Sequence, residues 1–219
     1  MTPRPNTAAG ADDGTRERIL AAARTEFIEN GLRGARMQEI ADRAGTNKAL
    51  LHYHFRDKEG LYQTVLRSIV EMVKGRIVAV ASDDVQSTPE QSIRRLVHAY
   101  MTVLREHPEC VGMMIRELSD GGRNIAPLLE ALAPMAKRLF AGVTEELARH
   151  GTKPAVEPVH ILINLFSMVW GTFLLRPLYS RILPAAGILD NLDDAFLEAR
   201  CRAIADTVIL STFPSGAAR

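Results

Sequence analysis

Apolar residues recur every three or four positions along most of this chain, and strand-like alternation is absent, so the pattern predicts an all-α protein of about nine helices. The first helix is expected from Thr15, with Ile19, Ala23 and Phe27 on one stripe beside Leu20 and Ile28, stopping at Gly31 where a left-handed cap is easy. Two short helices follow, from Met37 to Arg43 and from about Lys48 to Phe55. A fourth begins after Asp57 and steps through Leu61, Val65, Ile69 and Met72 to about Val80. Thr88-Pro89-Glu90-Gln91 combines a capping box with Pro at the first helical position, opening a fifth helix whose stripe is Ile93, Leu96, Val97, Tyr100, Met101 and Leu104, ended by Pro108. A sixth runs to Leu118 before Gly121-Gly122, and a seventh from about Ile125 to His150, kinked at Pro134. The eighth, from about Pro158 to Leu175, is apolar nearly all round, and the ninth runs from about Leu192 to Phe213.

Chemistry concentrates in Met37 to Phe55, MQEIADRAGTNKALLHYHF. Its first helix sets Met37, Ile40, Ala41 and Ala44 on one face. Gly45 permits a sharp turn, and Asn47 is positioned to cap the next helix. In that helix Leu51 and Phe55 point inward, leaving Lys48, Ala49, His52 and Tyr53 outward, a face that fits a major groove. Lys and His donate to purine edges or phosphates, Ala allows close approach, and Tyr offers a hydroxyl to phosphate. Arg36, Gln38, Thr46, Asn47 and His54 complete the candidate contacts, together with Lys58, which with the amides after Asp57 could hold a backbone phosphate. For His52 and His54 the alternative is a packing or capping role, and Gln38 could simply face water.

Thr15 to Tyr62 resembles the DNA-binding domain of the TetR family of bacterial transcriptional regulators, through TRERILAAARTEFIENGLRG, MQEIADRAGTNKALL and the HYHFRDKEGLY block. Three departures stand out: Ala35 where the family usually has Thr, Leu50 for a small polar residue, and His52 for Tyr. Ala35 removes a helix cap, at a cost of about 1 kcal/mol unless a neighbour replaces it. The resemblance implies a three-helix helix-turn-helix head over 15–62, a ligand-sensing and dimerisation core over 63–219, and a homodimer through the last two helices. It also implies a repressor that leaves a palindromic double-stranded operator when a small-molecule effector binds; separately, the start MTPRPNTAAGADDG lacks the apolar core of a signal peptide, so a cytoplasmic protein is expected. Residues 1–14 read as a disordered tail.

Composition narrows the alternatives. The 219 residues are 47% hydrophobic, enough for a substantial core, with a formal charge of only +1. The positive surplus is local: Arg16 to Lys58 holds nine Lys or Arg against six Asp or Glu, which suits a reader of specific sites better than a general DNA coater. Cys110 and Cys201 lack metal-ligand spacing and read as thiols. The apolar run Ile161 to Leu175 is shorter than the roughly 20 residues that span a bilayer.

Flexible thioethers and aromatic rings between the fifth and eighth helices suit a cavity for an apolar or aromatic ligand, and equally suit core filling. The candidate lining is His98, Tyr100, Met101, Leu104, Met113, Met114, Leu132, Met135, Phe166 and Trp170, with Phe140, Met168, Arg116 and Asn164 nearby in sequence. Two other readings stay open: a DNA-binding regulator with a protein partner or no effector, and a metal-dependent helical-bundle enzyme. For the latter, Glu157-x-x-His160 has the ligand spacing but no matching second pair. No cofactor and no catalysis are expected.

Overall fold

A computed structural model describes residues 7–82, 88–134 and 156–213, with Lys137, Ala141 and Glu145 between them. Among the described residues there are helices and no strands: α1 (Thr7–Gly34), α2 (Met37–Arg43), α3 (Lys48–Phe55), α4 (Lys58–Ser82), α5 (Pro89–Glu106), α6 (Pro108–Ser119), α7 (Ala126–Glu130), α8 (Pro158–Leu174), α9 (Arg176–Ala185) and α10 (Asp194–Thr212). The all-α expectation holds. The chain divides into two compact units, one of Met1–Glu71 with Gly112–Leu128, the other of Met72–Val111 with Leu129–Arg219. The sequence boundary after Tyr62 had not assigned Gly112–Leu128 to the head.

Three boundaries differ from the pattern. Helix α1 begins at Thr7 rather than Thr15, so 7–14 are helical where a tail was expected; Ala8, Ala9 and Ala11 favour helix though they carry no apolar stripe. At Pro134 the expected kink is a fresh start. Ala131 and Leu132 form a turn, and the helical state resumes at Ala133. A proline there sits in a first turn, where its missing amide would have no partner. Finally, α9 occupies the stretch between the expected eighth and ninth helices, where no helix was expected: Pro177 lies in its first turn and Pro184 near its end.

In the first unit Ile19, Ala23, Phe27, Ile40, Ala41, Leu51, Leu61 and Val65 are all fully buried. Phe27 meets Tyr62 edge to face at 4.8 Å. The end of α6 is tied to the end of α1: Arg116 Nε donates to the Ile28 carbonyl at 2.8 Å and Nη2 to that of Glu29 at 2.6 Å. Both carbonyls lie just before Gly31, whose φ of 67° and ψ of 174° interrupt the helical path. Glycine at 112 permits this approach, because a Cβ there would stand 3.0 Å from Ile28 Cγ2.

In the second unit α5, α8 and α10 pack on one another, burying Val97, Met101 and Leu104 with Val169, Trp170 and Phe173 and with Leu197, Ile204 and Val208. The start of α5 is the expected capping box: Gln91 N donates to Thr88 Oγ1 at 3.3 Å, and Thr88 N to Gln91 Oε1 at 3.0 Å. Among the described residues no single helix is long and apolar enough to cross a membrane.

Candidate nucleic-acid interface

The α2–turn–α3 geometry follows from a few backbone decisions. Arg36, the residue before α2, is extended and gives no side-chain cap. The buried Glu26 of α1 stands in: its Oε1 accepts from Arg36 N at 3.4 Å and from Asn30 Nδ2 at 2.9 Å, and its Oε2 lies 3.5 Å from Arg43 Nε. The cap that Ala35 cannot provide thus comes from another helix. Gly45, at φ +62°, makes the turn, and Thr46 N donates to the Ala41 carbonyl at 3.0 Å. Asn47 Oδ1 accepts from Leu50 N at 2.9 Å, the expected cap of α3. Arg18 Nε reaches the Ala44 carbonyl at 3.4 Å, tying α1 to the turn.

Leu51 and Phe55 are buried, while Lys48, Ala49, His52 and Tyr53 are exposed, Tyr53 by 80%. An aromatic ring that exposed is not part of the packing of its own chain. Thr46 and His54 are half-buried, and His54 packs its ring between Tyr53 and Phe55. Arg36, Gln38 and Asn47 are exposed, but Gln38 Nε2 donates to Asp42 Oδ1 at 2.9 Å along its own helix.

The α3–α4 junction is strained. Arg56 has φ 65° and ψ −62°, and Asp57 N donates to the Phe55 carbonyl at 2.7 Å, closing a γ-turn of the rare hand. His52 braces it: Nδ1 donates to the Arg56 carbonyl at 2.8 Å, leaving Nε2 directed away from that bond. On the far side Asp57 Oδ1 accepts from Gly60 N at 2.7 Å, capping α4 as expected. Lys58 is engaged as well, donating to the carbonyls of Arg33 at 3.2 Å and Ala35 at 3.1 Å. Two of its three N–H bonds therefore serve the fold.

Sequence reasoning missed Glu26, Arg18 and Arg56. Only Glu26 left a signal, as a carboxylate beside Phe27 within an otherwise apolar stripe of Ala22, Ala23 and Phe27. A charge there must be paired if the stripe is buried.

The residues expected to line a cavity are mostly packed. Met101, Met113, Met114, Leu104 and Trp170 are buried, and the half-buried Tyr100 accepts from Trp170 Nε1 at 2.6 Å. Leu132 lies half-buried in a turn, Phe166 is 40% exposed on α8, and Met135 and Phe140 lie outside the described residues. His98 and Met101 do line open space, a groove of about 560 Å³ beside α5 and α10 that adjoins a smaller one of about 260 Å³. Glu157 and His160 are both exposed at the start of α8, and among the described residues no three His, Cys, Asp or Glu side chains converge as metal ligands would.

Comparison with known proteins bears on the same segment. Residues 19–65 match the family described as bacterial regulatory proteins, tetR family. The HTH-type transcriptional regulator RutR of Escherichia coli (strain K12) is 29% identical over 162 residues, which cover 70% of this chain and 69% of that protein. The HTH-type transcriptional repressor NicS of Pseudomonas putida is 31% identical over 117 residues, 53% of this chain and 54% of that one. A TetR family transcription regulator from Marinobacter aquaeolei VT8 shares the fold with a TM-score of 0.68 at 18% identity, over 90% of this chain and 97% of that one. A helix-turn-helix whose second helix presents a solvent-facing polar face thus lies within the segment that matches the tetR family of bacterial regulatory proteins, and over 70% of its length the chain is similar to a helix-turn-helix transcriptional regulator.

Proposed function

We propose that the protein is a homodimeric repressor that holds a palindromic operator through α3 and leaves it when a small effector binds in the C-terminal unit. The observation that carries the DNA half is the Lys48, Ala49, His52 and Tyr53 face, exposed over a fully buried Leu51. Lys48 and Tyr53 meet phosphate, Ala49 and His52 approach base edges, and Arg36 and Lys58 flank the backbone.

The dimer reading rests on α8. Val159, Leu162, Ile163 and Phe166 recur at three- and four-residue spacing and are 53%, 37%, 52% and 40% exposed in the single chain. On α10 Leu197, Ile204 and Val208 are buried inside the chain, so its partner face is the opposite one, with Ala199, Ala203 and Leu210 exposed. Two-fold pairing of these faces lets one protein read two half-sites. Helix α4 carries residues of both units, Lys58–Glu71 and Met72–Ser82, and is the element that an effector would bias. The effector shifts the equilibrium only by its difference in affinity between states, and about a hundredfold difference is worth about 2.7 kcal/mol.

A regulator without a small effector is the second reading, favoured by the tight packing of Met101, Met113, Met114 and Trp170. Binding-site selection from random double-stranded DNA at two salt concentrations tests the proposal. A palindrome with half-sites about one helical turn or more apart is expected. No enriched sequence at either salt would refute specific reading, and an operator complex unaffected by any effector would favour the second reading.

A further inference from the structure

We infer that the groove beside α5 and α10 binds a small amphiphilic anion, a carboxylate or phosphate carried on an apolar body. The inference rests on the effector-responsive reading above and names the chemistry of that effector.

Five guanidinium groups line the two adjoining lobes: Arg76 from α4, Arg94, Arg95 and Arg105 from α5, and Arg202 from α10. His98 and Thr102 lie between them, shared by both lobes together with Cys201 and Arg202. The spacing is helical on both sides, 94, 98, 102 and 105 facing 198, 201, 202 and 205, so one face of each helix is given over to the groove. Its floor is apolar, with Ala99 and Ala205 in the larger lobe and Met101, Phe173 and Leu197 in the smaller.

Carboxylates are present, but they hold the guanidiniums from outside. Glu106 pairs with Arg76 at 3.1 Å, Asp206 with Arg94 at 2.6 Å and Asp194 with Arg105 at 3.7 Å, and none of the three lines either lobe. Glu198, 4.0 Å from Arg202, is the one acidic residue among the described residues of the lining. Each guanidinium has five donors in a rigid fork, so one exposed ion pair orients it without exhausting it. Such pairs are weak and screened, and an anion whose apolar body is desolvated against Phe173 and Leu197 competes with them. A neutral apolar ligand would use none of the remaining donors, and a bare ion would leave the apolar floor wet. The larger lobe, about 560 Å³, has the size usual for small-molecule sites.

The test uses the full-length protein with octanoate, octyl phosphate and the neutral octanamide, read as thermal stabilisation against concentration. A saturable rise with either anion, none with octanamide, and at least a tenfold weaker apparent affinity in Arg94→Gln/Arg202→Gln are expected. Whichever anion binds more tightly identifies the headgroup. Both replaced side chains are half or more exposed, so the fold is retained, checked by circular dichroism; Arg76→Gln/Arg105→Gln serves as the second variant. No stabilisation by either anion, equal stabilisation by octanamide, or stabilisation undiminished in both variants overturns the inference. Operator binding separates the two levels. An anion that binds in the groove without weakening the operator complex leaves the site standing and removes the effector-release reading. Release by a neutral compound with the groove silent does the reverse.

Discussion

Tyr62 donates its phenolic hydrogen to Glu117 Oε1 at 2.6 Å in the interior of the DNA-binding unit. The carboxylate is completely buried and accepts three further bonds: from Asn124 Nδ2 at 3.0 Å, Asn124 N at 3.1 Å and Ile125 N at 3.0 Å. Four donors around one buried anion satisfy it, and they also lock α4, the end of α6 and the start of α7 into one body. Removing one partner therefore leaves an unsatisfied buried group. Tyr62→Phe is expected to destabilise the protein by about 1–3 kcal/mol and Glu117→Leu by more, measured by urea unfolding with the slope unchanged.

Alkaline pH tests the same bond with a definite sign. Burial first, and then the hydrogen bond to Glu117, hold the Tyr62 hydroxyl protonated well above its ordinary value of 10.0; burial does the same at Tyr100. A pKa raised by folding means that this stability is complete below pH 10 and is lost as pH climbs beyond it. The melting temperature should fall above pH 10, and less steeply in Tyr62→Phe, where Tyr100 and the Cys201 thiol, both raised by burial, remain to contribute. An unchanged slope would contradict the assignment.

Lys48 and Lys58 separate recognition from architecture. Lys48 is exposed, whereas Lys58 clamps two carbonyls at the end of α1 and beyond it. Lys48→Ala should weaken operator binding, lower the salt dependence by about one unit of slope and leave the melting temperature alone. Lys58→Ala should also lower stability, by about 1 kcal/mol.

Gly60 is demanded by the α3–α4 junction. A Cβ there would stand 2.6 Å from the Phe55 carbonyl oxygen, a backbone atom held by the γ-turn at Arg56. Gly60→Ala is expected to cost about 1–3 kcal/mol and to weaken operator binding more than stability alone explains, because the turn positions α3. Thermal unfolding and DNA titration at a temperature where the variant is folded check both parts.

Phe166 is exposed enough that its loss should not harm the monomer. Phe166→Glu, or Ile163→Glu beside it, should shift sedimentation from dimer to monomer while circular dichroism stays unchanged. A full palindrome should then bind no better than a half-site. A variant that remains dimeric would move the interface away from α8.

The amino-acid sequence by itself determined what short-range rules govern. Period and caps located α2 to α6, α8 and α10, because Thr88, Asn47, Asp57, Gly45 and the Gly121-Gly122 pair act within three or four residues of themselves. The outward face of α3 was legible for the same reason. Tertiary structure decided everything that depends on partners distant in sequence. Glu26 replaced the cap missing at Ala35, and Glu117 and Arg116 brought the segment after Gly112 into the head. Met101, Met113, Met114 and Trp170 closed into core while arginines from three helices converged on the open groove. An apolar stripe records that a face is covered, not by what. That is why the apolar stripe of α10 packs within its own chain although the last two helices were expected to form the dimer, and why the exposed face of α8 became visible only once the rest of the core was filled.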